Sequence, residues 1–220
     1  MTTLLTINVT NNAPFTEAFY VFQRPALFTG GGMVYSNSLW SQSLPSYNQS
    51  GAIMTVQMSA QPFAGIQQAQ GTPQVGQSSG YATATRAIQL ANGAGGTPDW
   101  TTASVQPLGL SAPVSGVGVQ PGAFRVTTPV YQPLALYNLG SSVELNGELV
   151  LSSFVVANPA SNTDCQPVLT FYVTTGTFTP GSVINFYQSS VSAAVCDFTG
   201  GHSTANVTLN ADGTWSVRMA

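Results

Sequence analysis

The segment LLTINVT near the start of the chain alternates without a break, with Leu5, Ile7 and Val9 on one side and Leu4, Thr6 and Asn8 on the other. Period two marks a strand with one buried face, and no stretch of about ten residues or more carries a capped helical period. AIMTVQM (Ala52 to Met58) alternates in the same way and YATATRAIQL (Tyr81 to Leu90) does so over much of its length, while AFYVFQ (Ala18 to Gln23) and MVYSNSLW (Met33 to Trp40) are β-branched and aromatic enough to be strands. Towards the end, VLTFYVTT and SVINFYQ flank a Thr-Pro-Gly turn, and ANVTLN and TWSVRM flank Ala-Asp-Gly as a hairpin with one core face. Many short strands separated by Gly and Pro predict an all-β fold. At 220 residues the expectation is a single β-sandwich domain over 1–220, of jelly-roll or immunoglobulin-like two-sheet architecture with long Gly/Pro/Gln-rich loops.

Two stretches lack a clear period. QPFAGIQQAQGTPQVGQSSG reads as a long loop with one short strand at Phe63 to Gln67, and Leu90 to Gly122 reads as surface connection. Together they make the central region, 63–122, the part least constrained by pattern.

Charge sets the character of the surface. Only 5% of residues are ionised, against roughly 25% in an ordinary soluble domain, and all four cations are arginines. Ser, Thr, Asn and Gln must therefore wet the exterior. Such a surface repels its own copies weakly, so packing against neighbours or another flat polar partner is cheap. A net charge of -3 with scattered arginines argues against nucleic acid, whose binding needs clustered cations. MTTLLTINVT has no positive n-region and no continuous apolar core, and no run is long enough to be a transmembrane segment. The expected location is cytoplasmic, or outside the cell by a route that needs no signal sequence. The sequons at Asn8, Asn48 and Asn206 are read as chance in a Thr- and Asn-rich chain.

The chemistry-bearing residues are few. Gly30, Gly31 and Gly32 precede a strand-like segment in a chain without lysine, so they read as a bend and not a phosphate cradle. His202 stands alone in a turn, with no nucleophile elbow nearby in sequence. Glu144 and Glu148 bracket Asn146-Gly147: a two-residue loop sets Glu144 opposite Leu149, whereas a three-residue loop sets the carboxylates face to face. Cys165 and Cys196 are expected as separate buried thiols, and Asn210-Ala211-Asp212-Gly213 as a turn instead of a calcium loop. No cofactor or metal is expected. Aromatic rings can stack on sugars, and Trp100, in the sequence GTPDWTT beside Asp99, is the candidate ligand-binding position.

Taken in order, LTINVTNN, FYVFQRPAL and VYSNSLW near the start, with LTFYVTTGTFTPGSVINF and ANVTLNADGTWSVRM near the end, resemble the small RhiA-type proteins of rhizosphere bacteria, products of quorum regulation. The likeness is carried by the two ends and departs most between about Phe63 and Gly122. It implies a bacterial, soluble, all-β protein made at high density or during interaction with a host, and it brings no catalytic residues. The resulting expectation is a non-enzymatic protein that works by contact, foremost by self-association into an ordered homo-oligomer or inclusion. The alternatives are a lectin-like carbohydrate-binding module and a membrane-active protein that unfurls AIMTVQM and ATATRAIQL as lipid-facing strands.

Overall fold

A computed structural model of the chain describes residues 3–132 and 134–220. In chain order it contains β1 (Leu4–Asn11), β2 (Glu17–Gln23), β3 (Leu27–Thr29), β4 (Val34–Leu44), α1 (Tyr47–Ser50), β5 (Ile53–Ser59), β6 (Phe63–Ala69), β7 (Ala82–Ala87), β8 (Trp100–Val105) and β9 (Leu108–Leu110). There follow β10 (Phe124–Thr127), β11 (Leu136–Leu145), β12 (Glu148–Val156), β13 (Asn162–Gln166), β14 (Thr170–Thr175), β15 (Val183–Ile184), α2 (Phe186–Ser190), β16 (Ala194–Asp197), β17 (Thr204–Leu209) and β18 (Trp215–Met219). The all-β expectation holds, and both helices are single turns.

The strands form a thirteen-stranded sheet with the main path β16-β14-β2-β4-β12-β11-β5-β1-β17-β18, and a five-stranded sheet β3-β13-β10-β8-β9. The large sheet curls until β16 and β18 approach each other. The Trp215 indole closes that gap by donating to the Ser192 carbonyl at 2.7 Å and setting its ring edge-on against Phe19. The result is close to a barrel, so a two-layer description fits only where the small sheet lies over β6, β7 and the first half of β11.

β11 joins the two parts. Its odd-numbered residues share one face, and along that face Tyr137 and Leu139 enter one apolar cluster while Val143 and Leu145 enter another. The partner edge divides at the same place. β5 contributes Met54, Val56 and Met58 to the cluster of Val143 and Leu145, and β6 contributes Ala64 and Ile66 to the cluster of Tyr137 and Leu139 after an interruption at Gln61-Pro62.

Several local expectations meet the structure directly. Asn146 and Gly147 take positive φ, which is the type I′ geometry, and Glu144 pairs with Leu149 while Leu145 pairs with Glu148. The carboxylates therefore do not face each other. β17 and β18 form the expected hairpin. SVINFYQ differs from its strand pattern: Val183 and Ile184 pair with β4, Ser182 makes a single bridge to Ser78, and Asn185 then caps α2 by accepting from the Gln188 amide at 3.2 Å. The surface connection expected between Leu90 and Gly122 contains β8 and β9, whose polar alternation is masked by Gly and Pro on either side.

The three glycines are a bend of a particular kind. β3 belongs to the small sheet and β4 to the large one, so the chain changes sheets at Gly30-Gly31, where φ is +87° and +84°. A Cβ on Gly30 would meet the Asn162 carbonyl and one on Gly31 the Val155 side chain, both at 2.6 Å.

Cys165 lies in the small sheet opposite Phe124 and Cys196 in the large sheet opposite Phe171; both are free and buried. Burial raises both thiols, Cys196 to about 12. A raised thiol pKa adds stability that is complete below the ordinary value of 9.0 and is lost as pH climbs toward the folded value. At pH 8 neither thiol is expected to react with Ellman's reagent over an hour, and both react at once in denaturant; a fast thiol in the native protein would contradict this burial.

Candidate contact face

The N-terminal strand and the C-terminal hairpin meet. β1 lies between β5, antiparallel, and β17, parallel, and β18 completes the group. In the parallel pair Thr6 stands beside Thr204, Asn8 beside Asn206 and Thr10 beside Thr208. The intervening residues Ile7, Val9, Ala205 and Val207 are buried in the core. The even positions of β1, β17 and β18, with the odd positions of β5 opposite them, thus face outward as three rows across the strands. One row is Gln57, Thr6 and Thr204; the next is Thr55, Asn8, Asn206 and Arg218; the last is Ile53, Thr10, Thr208 and Ser216.

The middle row is hydrogen-bonded from Thr55 to Asn206. The Thr55 hydroxyl donates to Asn8 Oδ1 at 3.0 Å, and Asn8 Nδ2 donates to Asn206 Oδ1 at 3.1 Å. Rows repeat at about 6.6–6.8 Å along the strands and about 4.8 Å across them. Charge is confined to the borders, with Arg218 on the β18 side. On the opposite side Glu144 rims a shallow hollow shared with Leu4, Gln57 and Asn146.

This face was readable as a recurrence, since TINVT at residues 6–10 and TANVT at 204–208 are nearly identical. What sequence reasoning missed is that they are neighbours, which depends on a parallel pairing across 198 residues. The sequons at Asn8 and Asn206 are the centre of the shared row.

Trp100 and Asp99 lie elsewhere, on the small sheet. Trp100 opens β8 and is partly buried; its indole N-H donates to Thr127 Oγ1 at 2.8 Å, and the Arg125 guanidinium sits 5.1 Å from its ring centre. Gly116 packs so closely against the ring that a Cβ there would collide with it. Asp99 is buried, accepting from the Thr97 hydroxyl and the Gly116 amide, each at 3.0 Å. Both residues hold the 111–118 segment in place. Trp40 and Trp215 pack against the apolar cluster that contains Val143 and Leu145.

The remaining reactive groups are dispersed. His202 is exposed in its turn. Asp197 and Asp212 sit below the ordinary 3.8 because the hydroxyls and amides of Thr199 and Thr214, respectively, donate to them. These are turn contacts. Among the described residues, no three His, Cys, Asp or Glu side chains gather as a metal site, and no helix is long and apolar enough to cross a membrane.

No family model matches the chain, and no curated protein or solved structure matches it either.

Proposed function

We propose that the chain is a non-enzymatic contact protein of the RhiA type that self-associates through the Thr/Asn face of β5, β1, β17 and β18, with the cytoplasm as its place of work. The observation that carries this reading is the in-register ladder Thr6/Thr204, Asn8/Asn206 and Thr10/Thr208. Thr, Asn, Gln and Ser each donate and accept hydrogen bonds, so a face built from them is complementary to a copy of itself, whereas a face of Lys or Glu would meet like charge. A twofold that reverses the strand order also sets the Arg218 border over the Glu144 border.

Size bounds the strength. Four strands by about six residues cover about 19 Å by 20 Å, roughly 400 Å², which is half of what a standard interface takes from each partner. One such contact is weak, and because a twofold closes on itself as a dimer, an ordered array needs a second surface beside it.

Strand edges contribute little to association. Arg86 of β7 donates to the Leu110 carbonyl of β9 at 3.0 Å, tying two free borders together, and β16 and β18 face each other. Carbohydrate is the alternative partner for the same hydroxyl and amide rows, or for the Trp100 region, and a glycan array with Trp100→Ala as control separates those cases. The membrane-active reading draws less support, because β5 is paired on both sides and buries Met54, Val56 and Met58.

Sedimentation velocity from micromolar to millimolar protein tests the proposal. Association is expected to grow with concentration and to persist in high salt. Thr10→Lys with Thr208→Lys, which put like charges on the face without touching the bonded row, should weaken it at least tenfold. A chain that stays monomeric throughout would end this reading.

A further inference from the structure

The segment between β6 and β7 crosses the outside of the large sheet as a strap. Gly76 donates to the Val183 carbonyl at 2.8 Å and Val183 donates to the Gln77 carbonyl at 2.9 Å. Two fully buried asparagines grip the strap further along: Asn37 Nδ2 donates to the Ser79 hydroxyl at 2.8 Å and Asn138 Nδ2 to the Ser79 carbonyl at 2.7 Å. The strap is therefore part of the folded body.

Beside it a cleft of about 540 Å³ opens between three walls. The start of β4 supplies Met33 and Tyr35, the strap supplies Pro73 and Val75, and the β15–α2 corner supplies Phe186 and Tyr187. Its walls are braced from behind. Tyr35 stacks on Phe154 at 5.5 Å, and Phe186 sets its edge against Tyr172 at 5.4 Å and Phe22 at 6.0 Å. The rim is left apolar and open to solvent, with Met33 72%, Val75 56% and Tyr187 82% exposed.

We infer that this cleft is a binding site for an uncharged, largely apolar small molecule bearing a planar ring. Its volume lies within the range of small-ligand pockets, and is too small for a packed protein layer. Among the described residues no ionised side chain lines it, so a charged ligand would lose hydration without gaining a partner. The aromatic walls favour a ring, and Ser36 and Asn185 within the lining supply the few polar groups that orient it. Braced walls mean that binding orders little of the protein. The inference is independent of the Thr/Asn face, which shares none of these residues.

The test is an amide-resolved NMR titration with 2-naphthol, which is neutral at pH 7, alongside 2-naphthalenesulfonate. Saturable shifts are expected at Val34, Ser36, Val75 and Ile184 to Tyr187, with the sulfonate binding at least tenfold more weakly. Met33→Asp and Val75→Asp, both at exposed positions, should each weaken naphthol binding at least tenfold while leaving amides outside the cleft unmoved. Equal binding by these variants, shifts located elsewhere, or no saturable shift would overturn the site. Movement of the same amides with protein concentration alone would overturn it too, by showing that a second copy fills the cleft.

Discussion

Asp164→Ala is expected to lower the unfolding free energy by about 3–5 kcal/mol, the usual consequence of removing one partner from a buried ion pair. Asp164 of β13 lies directly opposite Arg125 of β10, and the carboxylate takes both Arg125 Nε and Arg125 Nη2, the second at 2.8 Å. The side chains are 6% and 16% exposed, and the residual solvent contact of the guanidinium puts the expected loss at the lower end of that range. The hydrogen bond to Asp164 raises the arginine pKa and keeps it charged at any pH of interest. Arg125 also donates to the Gly118 carbonyl and covers the Trp100 ring, so losing its anchor should loosen the 111–118 segment as well. Urea unfolding measures the loss. The double substitution Arg125→Met, Asp164→Leu is expected to recover most of it, because no unpaired charge remains. A loss below about 1 kcal/mol for Asp164→Ala would mean that the pair behaves as a solvated surface bridge.

Gly140→Ala should come second, at about 3 kcal/mol or more, beyond the usual overpacking range because the obstacle is backbone. Gly140 sits in β11 between Gly65 of β6 and Phe154 of β12. A Cβ there would collide with the Ser153 carbonyl oxygen and the Phe154 Cα, neither of which can rotate away. The strand that serves both apolar clusters would have to separate from β12. In a chain of this length the loss corresponds to a melting temperature lower by about 6–12 °C. Gly71→Ala, at a position with open space around it, is the control and should change stability by no more than about 0.5 kcal/mol. Equal melting temperatures for the two variants would show that β11 and β12 have more room than their spacing implies.

Much of the strand content is visible in the residues because alternation is a local property. β1, β5 and the β17–β18 hairpin lie where period two and their flanking turns put them, and β2 and β4 lie where β-branched and aromatic runs do. Asn146-Gly147 narrowed the β11–β12 register to two choices, and the positive φ values of both residues select the two-residue loop. The misplacements share a cause. β8 and β9 are short, polar on their outer sides and framed by Gly and Pro, and Trp100 looked like a loop residue because its surroundings in sequence are loop-like. SVINFYQ has strand propensity, yet after Ile184 it has no neighbour to pair with, so Asn185 turns it into α2.

Composition and alternation by themselves determined that this is an all-β chain with an almost uncharged exterior, since both follow from residue type and immediate neighbours. Only the tertiary structure decided that TINVT and TANVT lie side by side, that the large sheet curls toward closure, and that the strap and α2 enclose a cleft. Those outcomes depend on pairings between residues far apart in the chain. No local preference encodes them, and they are set by which edges and apolar faces can be satisfied together.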